Sequence, residues 1–253
     1  MSRPCPTAEP AVCRHPGGLD LTARAAGLLG LSHGAAVLDV GCGEGATGRY
    51  LAQAHGSWVT GVDVSEEALA IAKGLHPAVQ ALRGRAEQLP CEGGAFEAVF
   101  CECTLSLVDA AAALDEIHRV LAPDGRLALS DLYVRGGGGV RRTPPPPLVL
   151  GTQADIERLL DRHGFTVELF EDHTGSLAQF VWEQATRTGS TRPPSARGPA
   201  AAARPAAGSG LAAGYFLCIA RRRSGDPVQT GVVRTTARPH TETRRAGGDH
   251  GRS

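Results

Sequence analysis

The chain has 253 residues, a length that suits one α/β domain of ordinary size with additional segments. Lys and Arg together number 26, and Asp and Glu also number 26. The overall charge therefore does not direct the protein to nucleic acid or to an anionic membrane. No run approaches the roughly 20 apolar residues that span a bilayer. These features favour a small-molecule partner.

Cysteine usage and the amino end indicate the cellular compartment. The chain contains 7 Cys, and their spacing lacks the repeated C-x-x-C pairs of a zinc site. We therefore expect free thiols and no bound metal. Residues 1–6 have no apolar core of the kind that a signal peptide needs. The sequence predicts a cytoplasmic protein.

Composition divides the chain into five parts. Gly and Pro thicken after about residue 135, and residues 136–147 hold four Gly and four Pro, which predicts a flexible loop. The predicted parts are an N-terminal loop segment (1–18), the main domain (19–185), a low-complexity loop (186–210), a final strand of the domain (211–223) and a disordered tail (224–253).

Short apolar runs alternate with helical periodicity from Ala36 onwards, which is typical of βαβ units. Helices are predicted at 19–29, 46–54, 65–74, 109–121 and 152–163. Strands are predicted at 36–40, 58–62, 79–83, 96–101, 125–131, 164–170 and 214–220. The expected fold is α/β, a Rossmann-like seven-stranded, mostly parallel sheet with helices on both faces.

A glycine-rich turn follows the first predicted strand. Gly at alternate positions lets the backbone turn sharply and approach a ligand without a Cβ in the way. Cys42 is small enough to lie between two of these glycines. The predicted cofactor loop comprises Asp39, Gly41, Cys42, Gly43 and Gly45.

Asp63 ends the second predicted strand, 20 residues after Gly43. A carboxylate there can accept hydrogen bonds from both hydroxyls of a ribose. The pattern Gly41-x-Gly43-x-x-Ala46 also fits a dinucleotide loop, which leaves an NAD-dependent oxidoreductase as an alternative. Asp39 would repel a pyrophosphate but suits the ammonium and sulfonium of S-adenosylmethionine. The residues favour the methyl donor, although both aspartates can also serve as turn or helix caps.

Five segments in this order resemble the class I S-adenosylmethionine-dependent methyltransferases, in particular the type 11 group that includes ubiquinone-biosynthesis and arsenite methyltransferases. The segments are 37–45, 61–65, 84–90, 96–100 and 118–127. The resemblance implies that Ala86 and Glu87 border the adenine. It adds Val64, Ala86 and Glu87 to the expected cofactor-binding residues.

The methyl acceptor is expected beyond the fourth strand. Residues 100–107 resemble the Ile-Ser-Asn-Cys-Val segment of the arsenite methyltransferases, which implies that Cys103 binds a metalloid. The further Cys of that family has no counterpart in 132–170, so Cys101, Cys13 or Cys5 would have to supply the second soft ligand. Cys103 and Cys101 are thus the candidate catalytic residues. Further polar candidates for the acceptor pocket are His15, Asp131, Tyr133, Asp172 and His173.

The leading hypothesis is methyl transfer from S-adenosylmethionine to a small-molecule or metalloid acceptor. In-line displacement depends mainly on holding the acceptor about 3 to 3.5 Å from the methyl carbon, so a dedicated base is not required. A non-catalytic S-adenosylmethionine-binding protein is the main alternative.

Overall fold

The computed structural model describes residues 13–74, 76–135, 149–187 and 212–224. It contains seven strands: β1 (Ala36–Val40), β2 (Trp58–Asp63), β3 (Val79–Arg83), β4 (Phe96–Glu102), β5 (Leu121–Arg135), β6 (Phe165–Asp172) and β7 (Ala212–Arg222). They form one sheet in the order β3-β2-β1-β4-β5-β7-β6. Only β7 runs antiparallel to its neighbours. The predicted seven-stranded, mostly parallel sheet is confirmed.

Six α-helices and one 3₁₀ turn accompany the described strands. They are α1 (Gly18–Leu29), α2 (Ala46–His55), α3 (Glu66–Ala72), the turn Leu105–Leu107, α4 (Ala110–Val120), α5 (Gln153–Arg162) and α6 (Thr174–Arg187). The Ser65 side chain caps α3 by accepting from the Ala68 amide, 3.1 Å away. Thr152 and Asp155 form a capping box at the start of α5. Local sequence therefore defines where these helices begin.

Helix α6 was not predicted. It extends to Arg187 and so takes two residues from the low-complexity loop expected at 186–210. Residues 188–210 of that loop lie outside the described residues. The loop expected at 136–147 also lies outside them, as does the tail beyond Ser224.

Apolar clusters cover both faces of the sheet. On one face, Leu114 of α4 and Leu160 of α5 pack against Leu129 of β5. On the other face, Leu21 of α1 and Leu51 of α2 belong to a cluster that includes β7. Residues 214–220 are buried in β7, which pairs with both β5 and β6. No helix in the described ranges is long and apolar enough to cross a membrane.

Strand β5 extends beyond the predicted range of 125–131 at both ends. At its start it includes the turn at Asp124 and Gly125. The pairing with β4 shifts register between Phe96 and Ala98, so the turn lies within the paired region. Asp124 is left-handed, with φ 59°. A Cβ at Gly125 would lie 2.9 Å from the Ala122 carbonyl oxygen, which explains the glycine.

Candidate active site

The turn between β1 and α2 uses glycine for two different reasons. Gly41 has φ 77° and Gly43 has φ 51°, both in the left-handed region. A Cβ at Gly41 would lie 2.0 Å from Thr104 Oγ1, whereas a Cβ at Gly43 would meet no atom within 4 Å. Gly41 thus permits close packing, and Gly43 leaves open space. Gly45, at φ 81°, precedes the first residue of α2.

Asp63 holds this turn against the end of β2. Its Oδ2 accepts a hydrogen bond from the Gly43 amide and its Oδ1 accepts one from the Ser65 amide, both at 2.9 Å. A carboxylate has about four acceptor positions, so each oxygen keeps capacity for a further donor. The side chain is therefore fixed in place and still able to bind hydroxyl groups.

A cavity of about 420 Å³ lies at the carboxyl ends of β1, β2 and β4. We call it the cofactor cavity. Its volume is within the range of about 300 to 1,000 Å³ that is usual for small-molecule sites. The sequence-predicted residues that line it are Asp39, Gly41, Cys42, Gly43, Asp63, Val64, Ala86, Glu87 and Cys103. Gly45 and Cys101 are not among its lining residues.

Asp39 is a buried carboxylate with an unsatisfied oxygen. Its exposed fraction is 3 %, and its Oδ2 has no hydrogen-bond partner within the described part of the chain. Burial raises the pKa of Asp39 well above its usual value, and the charges of Glu102 and Asp63 raise it further. A buried polar atom without a partner is costly. A cationic ligand in the cofactor cavity would relieve that cost.

Glu102 is a site residue that the sequence interpretation missed. It ends β4, lines the cofactor cavity and accepts hydrogen bonds from Thr47 Oγ1 at 2.7 Å and Thr22 Oγ1 at 3.1 Å. Its Oε2 also lies 3.3 Å from His15 Nε2. The carboxylate thus joins α2, α1 and the segment before α1. An acidic residue at the carboxyl end of an apolar parallel strand was the available signal.

The two candidate thiols have different surroundings. Cys103 lines the cofactor cavity with a left-handed backbone, φ 53°, and its Sγ lies 3.1 Å from Tyr215 Oη. Cys101 packs in the apolar core with an exposed fraction of 1 %. Burial raises the pKa of both thiols well above the usual value, and Asp131 raises them further. Both are therefore thiols rather than thiolates at neutral pH, which weakens them as soft ligands.

The remaining polar candidates make mainly structural contacts. Asp131 accepts from the Ser106 amide at 2.9 Å, and Asp172 accepts from the Thr174 amide at 2.8 Å. Tyr133 packs edge-on against Phe170 and Phe216. His15, Cys13 and His173 line cavities. Among the described residues, no group of three or more His, Cys, Asp or Glu is placed to hold a metal ion.

Comparisons with known proteins assign the family. A methyltransferase-domain profile matches residues 37–125. An uncharacterised methyltransferase of Synechocystis sp. is 34 % identical over 174 residues, which cover 63 % of this chain and 80 % of that protein. The O-methyltransferase rstn1 of Aspergillus nomiae is 33 % identical over 111 residues, 41 % of this chain and 49 % of that enzyme. The chain thus spans about half the length of that relative.

Among solved structures, the cyclase SpnF is 26 % identical and superposes with a TM-score of 0.70, covering 85 % of this chain and 90 % of that one. The fold and the cofactor cavity define a Rossmann-like α/β enzyme. The chain belongs to the class I S-adenosylmethionine-dependent methyltransferases. Its cofactor is S-adenosylmethionine, and nothing found favours the oxidoreductase or the non-catalytic alternative.

Proposed function

We propose that this methyltransferase holds S-adenosylmethionine in the cofactor cavity and passes its methyl group to a small-molecule acceptor. The observation that carries this placement is the unsatisfied Oδ2 of Asp39, a buried carboxyl group that lines the same cavity as the Asp63 carboxylate. S-adenosylmethionine, when bound, supplies a methyl group on a positively charged sulfur. This ligand carries a positive charge, which suits Asp39, and a ribose, whose hydroxyls suit Asp63.

Each cofactor-binding residue has a separate role in this proposal. Asp63 accepts hydrogen bonds from the ribose hydroxyls, and the open space over Gly43 admits the ligand close to the backbone. Asp39 faces the positive charge. Ala86, Glu87 and Val64 border the adenine, and Cys42 packs behind the turn, since a Cβ at Gly61 would lie 2.7 Å from its Sγ.

A metalloid acceptor at Cys103 stays a prediction. The thiol lines the cofactor cavity, as does Cys13. Burial raises the pKa of Cys13 to about 12, so this second thiol is also protonated at neutral pH. A Cys103→Ser variant separates the possibilities: a metalloid methyltransferase would lose methylation of thiol-bound arsenite, whereas unchanged products would exclude the thiol from the reaction.

We also assign the protein to the cytoplasm. The six described cysteines are all free thiols, as expected for a reducing compartment. Fractionation of cells that produce the chain, with detection in the cytosolic fraction, tests this assignment.

The central experiment measures binding and transfer separately. Calorimetry should show one molecule of S-adenosylmethionine bound per chain, with affinity rising as the pH rises, because a bound cation favours the ionised form of Asp39. An Asp39→Asn variant should lose that pH dependence. Absence of binding by the folded wild-type protein would refute the proposal.

Transfer needs its own assay, because a protein named as a cyclase shares this fold. Incubation with isotopically labelled S-adenosylmethionine and a panel of small-molecule acceptors, followed by mass spectrometry, should reveal a labelled product. Binding without transfer to any acceptor would instead support the non-catalytic alternative.

A further inference from the structure

A second cavity, of about 530 Å³, adjoins the cofactor cavity. It lies between α1 and α6, and we call it the α1–α6 cavity. Cys13 and His15 line both cavities. His15 is also the residue that contacts Glu102, at 3.3 Å. The two cavities therefore meet beside Glu102.

The junction lies beside Glu102, on the side of the cofactor cavity to which the proposed function assigns the charged sulfur. The charges of Glu102 and Asp39 both raise the pKa of Cys13, which shows that this thiol is near these carboxylates. The α1–α6 cavity therefore adjoins the cofactor cavity on the side of Asp39 and Glu102, with Cys13 and His15 at the boundary.

The lining of the α1–α6 cavity has an excess of unpaired negative charge. Arg24 and His173 line it, but both bind Glu171, at 2.7 Å and 3.0 Å. The Arg24 hydrogen bond lowers the pKa of Glu171 to about 2, so that acid stays ionised and offsets the charge of Arg24. Asp20 and Glu183 also line the cavity, and neither has an ion-pair partner among the residues that the structure describes.

An aromatic ring adds to this preference. Phe180 of α6 lines the same cavity and is half-buried. The face of an aromatic ring attracts an ammonium group, and the attraction grows as water is excluded. Two unpaired carboxylates and one ring together suit a small cation.

We propose that the methyl acceptor is a small amine bound in the α1–α6 cavity, an inference that rests on the proposed function. The ammonium group first loses one proton to solvent at the exposed mouth beside Asp20. The nitrogen lone pair then forms the bond to the methyl carbon. The carbon–sulfur bond breaks with its electron pair passing to sulfur, which becomes an uncharged thioether.

The test fills the cavity and compares the result with a matched control. Ser176 is half-buried on α6 and lines the α1–α6 cavity, whereas Ala178 is exposed on the same helix and does not line it. Ser176→Phe should lower the methylation of ethanolamine or sarcosine at least about tenfold. Ala178→Phe should leave it unchanged. Both variants should bind S-adenosylhomocysteine within about twofold of wild type, because the cofactor cavity is untouched.

A second readout does not depend on turnover. Saturation-transfer NMR should show ethanolamine bound to the wild-type protein loaded with S-adenosylhomocysteine, and the signal should fall in Ser176→Phe. Both acids are exposed, so replacing them together, Asp20→Asn with Glu183→Gln, should weaken this binding by no more than about fivefold.

The outcomes distinguish this inference from the proposed function. Methylation of catechol or thiol-bound arsenite without methylation of either amine would overturn the amine assignment, as would absence of ethanolamine binding. Amine methylation that is equal in Ser176→Phe and wild type would overturn the cavity assignment. Failure to bind S-adenosylmethionine at all would refute the proposed function itself.

Discussion

The two ends of the cofactor cavity are built differently. At the end proposed to hold the ribose, the Asp63 carboxylate accepts a hydrogen bond from the Gly43 amide, 20 residues away in sequence. At the opposite end, the Glu102 carboxylate contacts Thr47 and Thr22, which are 55 and 80 residues away. One end depends on a strand and the turn beside it, and the other depends on how distant segments pack.

This difference separates what is general to the enzyme class from what is particular to this chain. A nucleoside site needs backbone turns and one carboxylate, which short motifs encode. An acceptor site needs loops and inserted helices that vary while the scaffold stays the same. The four predictions that follow test each end, from the largest expected effect to the smallest.

The largest effect is expected for Gly41→Ala in the turn between β1 and α2. The added Cβ would be forced against Thr104 Oγ1, at 2.0 Å, with the backbone held at φ 77°. Overpacking and a left-handed alanine together should lower the free energy of unfolding by about 3 to 4 kcal/mol. Urea denaturation measures this loss.

Gly43→Ala is the matched control for that variant. Its φ is also positive, 51°, but the added Cβ would meet no protein atom within 4 Å. The free energy of unfolding should fall by only about 1 to 2 kcal/mol, while the affinity for S-adenosylmethionine falls because the methyl group occupies ligand space. Equal destabilisation by the two variants would contradict the close packing assigned to Gly41.

Asp63→Ala should abolish most cofactor binding. The substitution removes the acceptor of two amide hydrogen bonds at 2.9 Å and the proposed ribose contacts. Hydrogen bonds to a charged group contribute about 1.5 to 3 kcal/mol each, so the dissociation constant should rise at least about 100-fold. Calorimetry measures the change, and circular dichroism shows whether the variant is folded. A folded variant with wild-type affinity would rule out the ribose role.

The same division explains what the sequence alone could predict. Buried strands are continuous apolar runs, so six of the seven strands were predicted to within a few residues. The prediction for β5, 125–131, was shorter than the observed strand at both ends. Helix α6 was missed, since only Leu177 among its residues with a described side chain is buried and Gly175 and Ser176 weaken its start. Its contacts with β7 stabilise it, and these are not visible in local sequence.

The site shows the same limit. Asp39, Gly41, Cys42, Gly43 and Asp63 line one cavity, and their role in cofactor binding stays a prediction. Local sequence does not mark Glu102 as a site residue, because its partners come from three distant segments. Spacing along the chain does not reveal such contacts.

A pH-dependent effect is expected from Asp131, which supports the turn Leu105–Leu107 near the Glu102 end. Burial raises the pKa of this carboxyl from its ordinary value of 3.8 to about 6, although Ser106 and Leu132 donate hydrogen bonds to it. Because the folded state then binds more protons than the unfolded state, stability should decrease as the pH rises from about 4 to about 6. The decrease should be about 2 to 3 kcal/mol.

Asp131→Asn isolates this contribution, because the amide has the same shape and does not titrate. The difference in unfolding free energy between wild type and variant should change across that pH interval and level off above it. Parallel pH profiles for the two proteins would show that the Asp131 carboxyl keeps its ordinary pKa.

The smallest effect is expected for Arg14→Ala, in the segment before α1 that lines the cofactor cavity. Arg14 binds Glu44 at 2.5 Å, but its side chain is 72 % exposed. Exposed ion pairs contribute about 0.2 to 1 kcal/mol, so cofactor affinity should fall by no more than about threefold. His15→Ala, by contrast, removes a buried contact to Glu102 and should weaken binding more. A larger loss of binding in Arg14→Ala than in His15→Ala would contradict this expectation. It would show that the exposed Arg14–Glu44 ion pair, and not the buried His15–Glu102 contact, positions this segment.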